Sequence, residues 1–162
     1  MINLPKKYSL LIKAYLSLFG IGFIPFSPGT LASAAITLIW LYALPSLSKA
    51  PLLLIPLMIF VSLVYFISVK LISAFLKPPL DKSWIVIDEL IGMIISLTPT
   101  VFISSPTLII SAFICFRFFD IVKPSLIKEI DSRHTPSSII LDDLVAGVFS
   151  AGSVILISLF IL

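Results

Sequence analysis

Five of the eight acidic residues of this chain, Asp88-Glu89, Asp120 and Asp142-Asp143, stand where long apolar runs begin or end. A carboxylate beside hydrocarbon is costly, and such groups usually mark a functional site. Brought together by a fold, these five form a set of hard oxygen ligands. The chain has one cysteine and one histidine, so no Cys/His cluster competes, and carboxylates beside a phosphate suit Mg²⁺ better than zinc. Asp88, Glu89, Asp120, Asp142 and Asp143 are therefore the candidates for metal binding and catalysis.

Basic and turn residues accompany them. Arg117, Asp120 and Lys123 recur every third residue, on nearly one helix face. This spacing serves either a self-neutralising ion ladder or a site in which Asp120 meets the cation while Arg117 or Lys123 meets phosphate oxygens. Arg133 and the lone His134 precede the last acidic pair; Arg133 offers a further phosphate contact and His134 a proton donor. In Ile24-Pro25-Phe26-Ser27-Pro28-Gly29-Thr30, Ser27 or Thr30 can cap the helix that follows. The free backbone N–H groups there favour an anion, which adds Ser27, Gly29 and Thr30 to the phosphate-binding candidates. Asp88 and Glu89 diverge by about 100 degrees if helical, so one can bind an ion while the other orients it or pairs with a base. Both acidic pairs also suit plain helix starts, where the macrodipole favours negative charge.

The elements that must hold these residues are set by composition. The chain has 162 residues, 59% of them hydrophobic and 12% charged, with mean hydropathy +1.21, far outside the soluble range. A single domain over residues 1–162 is expected, an all-α polytopic membrane bundle. Five apolar runs, at 31–48, 52–69, 90–103, 107–119 and 144–162, predict about five membrane-embedded helices. The third and fourth are short, and Pro99 and Pro106 bracket a turn between them, so they either extend into their flanks or form a hairpin that enters without crossing. Lys6 and Lys7 before an apolar stretch imitate a signal peptide, but Lys13 interrupts it. An interfacial helix over 8–19 with its lysines at the headgroups fits better. Cys115 lies in an apolar run and excludes an intramolecular disulfide.

Tracing the runs puts 25–30, 81–89 and 120–143 on one side of the membrane. Ten of the eleven basic residues, all but Lys49, fall on or beside that side, and positive loops stay cytoplasmic. A hard-cation site with basic neighbours at headgroup depth, open to the cytoplasm, implies a phosphate-bearing lipid. No nucleic-acid partner is expected. The rival reading of the same residues is a small cation transporter or channel, since intramembrane acids also line ion pathways.

The stretches PFSPGTLAS, WIVIDELIGM, FRFFDIVKP and IILDDLVAG, in this order over 24–147, resemble the phosphatidylglycerophosphatase A family. The resemblance implies a bacterial inner-membrane, multi-pass, Mg²⁺-dependent enzyme. Its reaction would be hydrolysis of phosphatidylglycerophosphate to phosphatidylglycerol and phosphate in phospholipid biosynthesis, with Asp88, Glu89, Asp120, Asp142 and Asp143 as its acidic motif residues. The chain departs from the pattern at His134 to Ser138, where the family usually has glycines, at Ala32 for a frequent glycine and at Ser125 for a tryptophan. The signatures of haloacid-dehalogenase, cysteine and type-2 phosphatidic acid phosphatases do not fit, nor does that of the CDP-alcohol phosphotransferases. Phosphatidic acid is the alternative lipid substrate.

Overall fold

A computed structural model describes residues 6–76, 80 and 82–161. Lys77 and Asp81, both placed on the cytoplasmic side above, lie outside the described residues, as does the side-chain placement of Lys6 and Lys7. The described chain is all-helical: α1 (Lys6–Leu16), α2 (Pro28–Lys49), α3 (Leu54–Phe75), α4 (Ile87–Leu97), α5 (Pro106–Val122), α6 (Ser125–Asp131) and α7 (Ser138–Ile161), with single 3₁₀ turns at Ile21–Phe23, Pro51–Leu53 and Thr98–Val101.

Among the described residues three helices are long and apolar enough to cross a membrane: α2, α3 (counted from Pro51) and α7, at 22, 25 and 24 residues, which are the first, second and fifth apolar runs. At about 1.5 Å per residue, α4 reaches about 16 Å and α5 about 25 Å, short of the roughly 30 Å of hydrocarbon. The two are joined by the turn that the prolines bracket. Pro99 sits in the 3₁₀ turn, and Pro106 opens α5 at a position where its missing N–H is no loss.

The bundle is apolar outside and finely polar within. Ile55, Ile59, Leu63 and Phe66 of α3 and Leu156, Leu159 and Phe160 of α7 are exposed, whereas Ser33, Ser68, Ser96, Ser150 and Thr100 are fully buried. With lipid as solvent, close packing and hydrogen bonds between helices replace the hydrophobic drive. Ser96 and Ser150 lie 2.6 Å apart and one donates to the other, while both oxygens lie within 3.1 Å of the Ala112 carbonyl, tying α4, α7 and α5 together. The Trp40 indole donates to Thr100 at 2.9 Å, tying α2 to the hairpin turn.

α4 is the hub. It packs most extensively on α7, and also on α2 and α5. Its crossing with α7 is made by two glycines: a Cβ on Gly147 would overlap the Gly92 backbone, and one on Gly92 would overlap the Asp143 carbonyl and the Phe116 ring. α1 ends earlier than expected, at Leu16, because Leu18, Phe19 and Gly20 take positive φ and turn the chain. Tyr15 reaches Ser68 of α3 at 3.0 Å, and Val86 donates to the Leu16 carbonyl, so α1 braces the segment leading into α4.

Two boundaries differ from the hydropathy reading. The 120–143 segment contains α6, whose Ile127 and Ile130 are buried while Lys128 and Glu129 face out. α7 begins at Ser138, so Asp142 and Asp143 occupy its second turn and the dipole explanation for them falls away. Its start is fixed by a reciprocal pair: Thr135 Oγ1 accepts from the Ser138 N–H at 3.1 Å, and Ser138 Oγ accepts from the Thr135 N–H at 2.8 Å. This is the geometry of a capping box, and it gives the glycine-poor stretch at 134–138 a structural role. Thr135→Ala should lower stability by about 1 kcal/mol, read as a small drop in the thermal midpoint in detergent with turnover retained.

Candidate active site

The glycine crossing of α4 and α7 brings three carboxylates together. Asp88 and Glu89 lie in the first turn of α4, Asp143 in the second turn of α7. Each offers an oxygen, and the three oxygens lie within 4.8 Å of one another. Both members of the Asp88-Glu89 pair can therefore reach one cluster. Asp142 and Asp143 are 4% and 5% exposed, so this charge is held largely away from water.

Glu89 also approaches α2. A Cβ on Gly29 would overlap its Oε1 and come within 3.4 Å of Arg117 Nη1. Gly29 thus acts by having no side chain, letting the start of α2 close over the carboxylate and the guanidinium. Ser27 holds the N-cap position of α2 with φ 42, but its side chain makes no capping hydrogen bond. Thr30 lies in the first turn and lines no part of the acidic cavity, and Ser27 does not either. The strained turn at Ser27 positions Gly29 rather than presenting its hydroxyl.

The ladder on α5 splits in two. Arg117 Nη1 contacts Asp120 Oδ2 at 2.6 Å and donates to Ser33 Oγ at 3.5 Å. Lys123 does not continue the ladder: it takes a left-handed conformation (φ 47) at the end of α5 and bridges Asp131 Oδ1 at 2.7 Å and Asp142 Oδ2 at 2.8 Å. Burial alone would lower its pKa. The hydrogen bonds and charges of Asp131 and Asp142 outweigh that and hold it above the ordinary lysine value. Arg133 pairs with Glu129 one turn away on the exposed side of α6 and does not line the acidic cavity.

These groups enclose a cavity of about 170 Å³ that reaches Asp88, Glu89, Asp120, Lys123, Asp142 and Asp143. Lys82, Ser83, Asp131 and His134 line it too. Of these, sequence reasoning named only His134. Asp131 gave no signal, because its link to Lys123 depends on α6 folding back. Two acidic oxygens, Glu89 Oε2 and Asp142 Oδ1, are buried without a hydrogen-bond partner among the described residues. Buried carboxylate oxygens are rarely left so, and a hard cation satisfies them and the mutual repulsion together. The donor set fits Mg²⁺.

Helices long and apolar enough to cross a bilayer, with an acidic cavity among them, are the features of a membrane-associated protein. The chain belongs to the phosphatidylglycerophosphatase A family: the family profile, described as Phosphatidylglycerophosphatase A, matches residues 14–158. A protein of Bacteroides thetaiotaomicron named "Putative phosphatidylinositol-3-phosphatase" is 34% identical over 142 residues, covering 82% of this chain and 84% of its own length. No solved structure matches the chain. Family and relative both support a lipid phosphatase.

Proposed function

We propose that this protein is a Mg²⁺-dependent phosphatase that converts phosphatidylglycerophosphate to phosphatidylglycerol and inorganic phosphate at the cytoplasmic leaflet. The observation that carries the reading is the convergence of Asp88, Glu89 and Asp143 within 4.8 Å, beside an arginine and a buried unpartnered Glu89 oxygen. Asp88, Glu89 and Asp143 would hold the ion, with Asp120 and Asp142 beside them. When bound, Mg²⁺ polarises the phosphoryl group and neutralises charge building on its oxygens.

The chain's own groups divide the remaining work. Arg117 does not itself line the cavity; bonded to Asp120 and beside Glu89, it would orient those two carboxylates and offset their charge. Lys123 holds Asp142 in place and keeps the α6 side of the cavity closed. The phosphorus–oxygen bond to the glycerol breaks as a new one forms to the oxygen of an incoming water, or of a carboxylate whose acyl-phosphate water then cleaves; the water gives up its proton to a neighbouring carboxylate, and the leaving alkoxide takes one. His134, on the cavity wall, would supply it. The transporter reading is disfavoured because the acids surround one cavity with cations among them, rather than lining a path across the bundle.

Purified protein in detergent should release phosphate from phosphatidylglycerophosphate with Mg²⁺, lose that activity in EDTA, and regain it on adding the ion back. Release under no divalent cation would sink the proposal. Phosphatidylinositol 3-phosphate belongs in the same panel, because the Bacteroides relative is named for it. Faster turnover of that lipid or of phosphatidic acid would overturn the substrate and leave the phosphatase standing.

A further inference from the structure

The cations near the acidic cluster are mostly engaged already: Arg117 holds Asp120, and Lys123 bridges Asp131 and Asp142. Lys82 differs. It lines the same cavity, half-buried, and among the described residues it enters no ion pair. It lies six residues before Asp88, in the segment leading into α4, next to exposed Ser83 and sharing the cavity wall with exposed His134. Asp142 and Asp143, by contrast, are almost fully buried. The cavity thus has a carboxylate floor and a cationic rim.

A phosphomonoester drawn to the floor leaves the rest of its headgroup crossing the rim. In a lipid whose headgroup carries a terminal phosphate, the next anionic group along the chain is the phosphodiester. Resting on the lipid-phosphatase reading above, we propose that Lys82 is a specificity-determining residue that binds the phosphodiester of the substrate lipid at the cavity rim. It thereby favours lipids bearing both a diester and a terminal monoester over phosphatidic acid, which bears the monoester alone. An ammonium on a flexible four-carbon stem acts as a point charge with rotatable donors, so Lys82 reads the presence of the second phosphate and not the sugar or polyol between the two.

The product and the inorganic ion separate the two anion contacts. Phosphatidylglycerol carries only the diester, and inorganic phosphate resembles only the monoester. Lys82→Gln should raise KM for phosphatidylglycerophosphate roughly tenfold with kcat retained, the scale of one charge-assisted contact. It should weaken inhibition by phosphatidylglycerol while leaving inhibition by inorganic phosphate within about twofold, and Lys82→Arg should restore both. Equal weakening of the two inhibitors, a fall in kcat at fixed KM, or an unaltered KM would overturn the role of Lys82 while the phosphatase stands. An unmodified protein that releases no phosphate from the lipid would overturn both.

Discussion

Asp143→Asn is expected to abolish most phosphate release, at least about 100-fold, while the protein folds and becomes no less stable in the absence of divalent ions. The two halves of this result have one cause. Asp143 shares a space of under 4.8 Å with Asp88 and Glu89 and is 5% exposed. Like charges at that distance repel by on the order of 3 kcal/mol per pair at an effective dielectric of 20. Asparagine keeps the volume and removes the repulsion, together with the negative charge that a hard cation requires. Loss of a charge contribution of several kcal/mol accounts for the rate. Thermal unfolding provides a readout besides activity. Mg²⁺ should raise the midpoint of the unmodified protein by binding the folded state and should leave that of Asp143→Asn nearly unmoved. Asp88→Asn and Glu89→Gln should behave alike. Glu129→Gln, on the exposed face of α6 and paired only with Arg133, should retain activity and the Mg²⁺ shift. A variant of Asp143 with near-normal turnover, or one still stabilised by Mg²⁺, would remove it from the ion site.

How much of this was legible in the sequence depends on how local each signal was. The membrane class, the turn between α4 and α5 and the acidic motifs were legible because composition, prolines and charges beside apolar runs are read within one segment. The start of α7 was not. Asp142 and Asp143 break the hydropathy, so the run seems to begin at Leu144, yet the helix continues back to Ser138 because both acids turn inward, to the cluster and to Lys123. The Arg117-Asp120-Lys123 spacing gave one true pair and one false one, since Lys123 leaves the helical path and finds partners 8 and 19 residues on. Arg133 and Glu129 stand at i and i+4, a local pairing that helical spacing would have revealed had α6 been foreseen. The three crossing-length helices among the described residues fall on the first, second and fifth apolar runs, because apolar length is itself a one-segment signal.

The glycine crossing yields the second large effect. Gly147→Ala should cost at least about tenfold in turnover and destabilise the protein by about 1–3 kcal/mol, the range for overpacking a close contact, whereas Gly152→Ala on the same helix should be neutral or mildly stabilising. The added atom is identical; its surroundings differ. At Gly147 a Cβ meets the Gly92 backbone, which no rotamer change can move aside, so α4 and α7 must part. At Gly152 nothing lies within 4 Å, and alanine is the better helix former by up to about 1 kcal/mol. Asp88 and Glu89 ride on α4 and Asp143 on α7, so separation of the helices widens the carboxylate cluster directly. A displacement of about 1 Å in a reacting geometry is enough to cost 100-fold. The Mg²⁺-induced rise in thermal midpoint should shrink in Gly147→Ala and persist in Gly152→Ala, tying the loss to the ion site and not to general unfolding. Equal turnover in the two variants would mean that the helix contact at Gly92 and Gly147 does not set the spacing of the carboxylates.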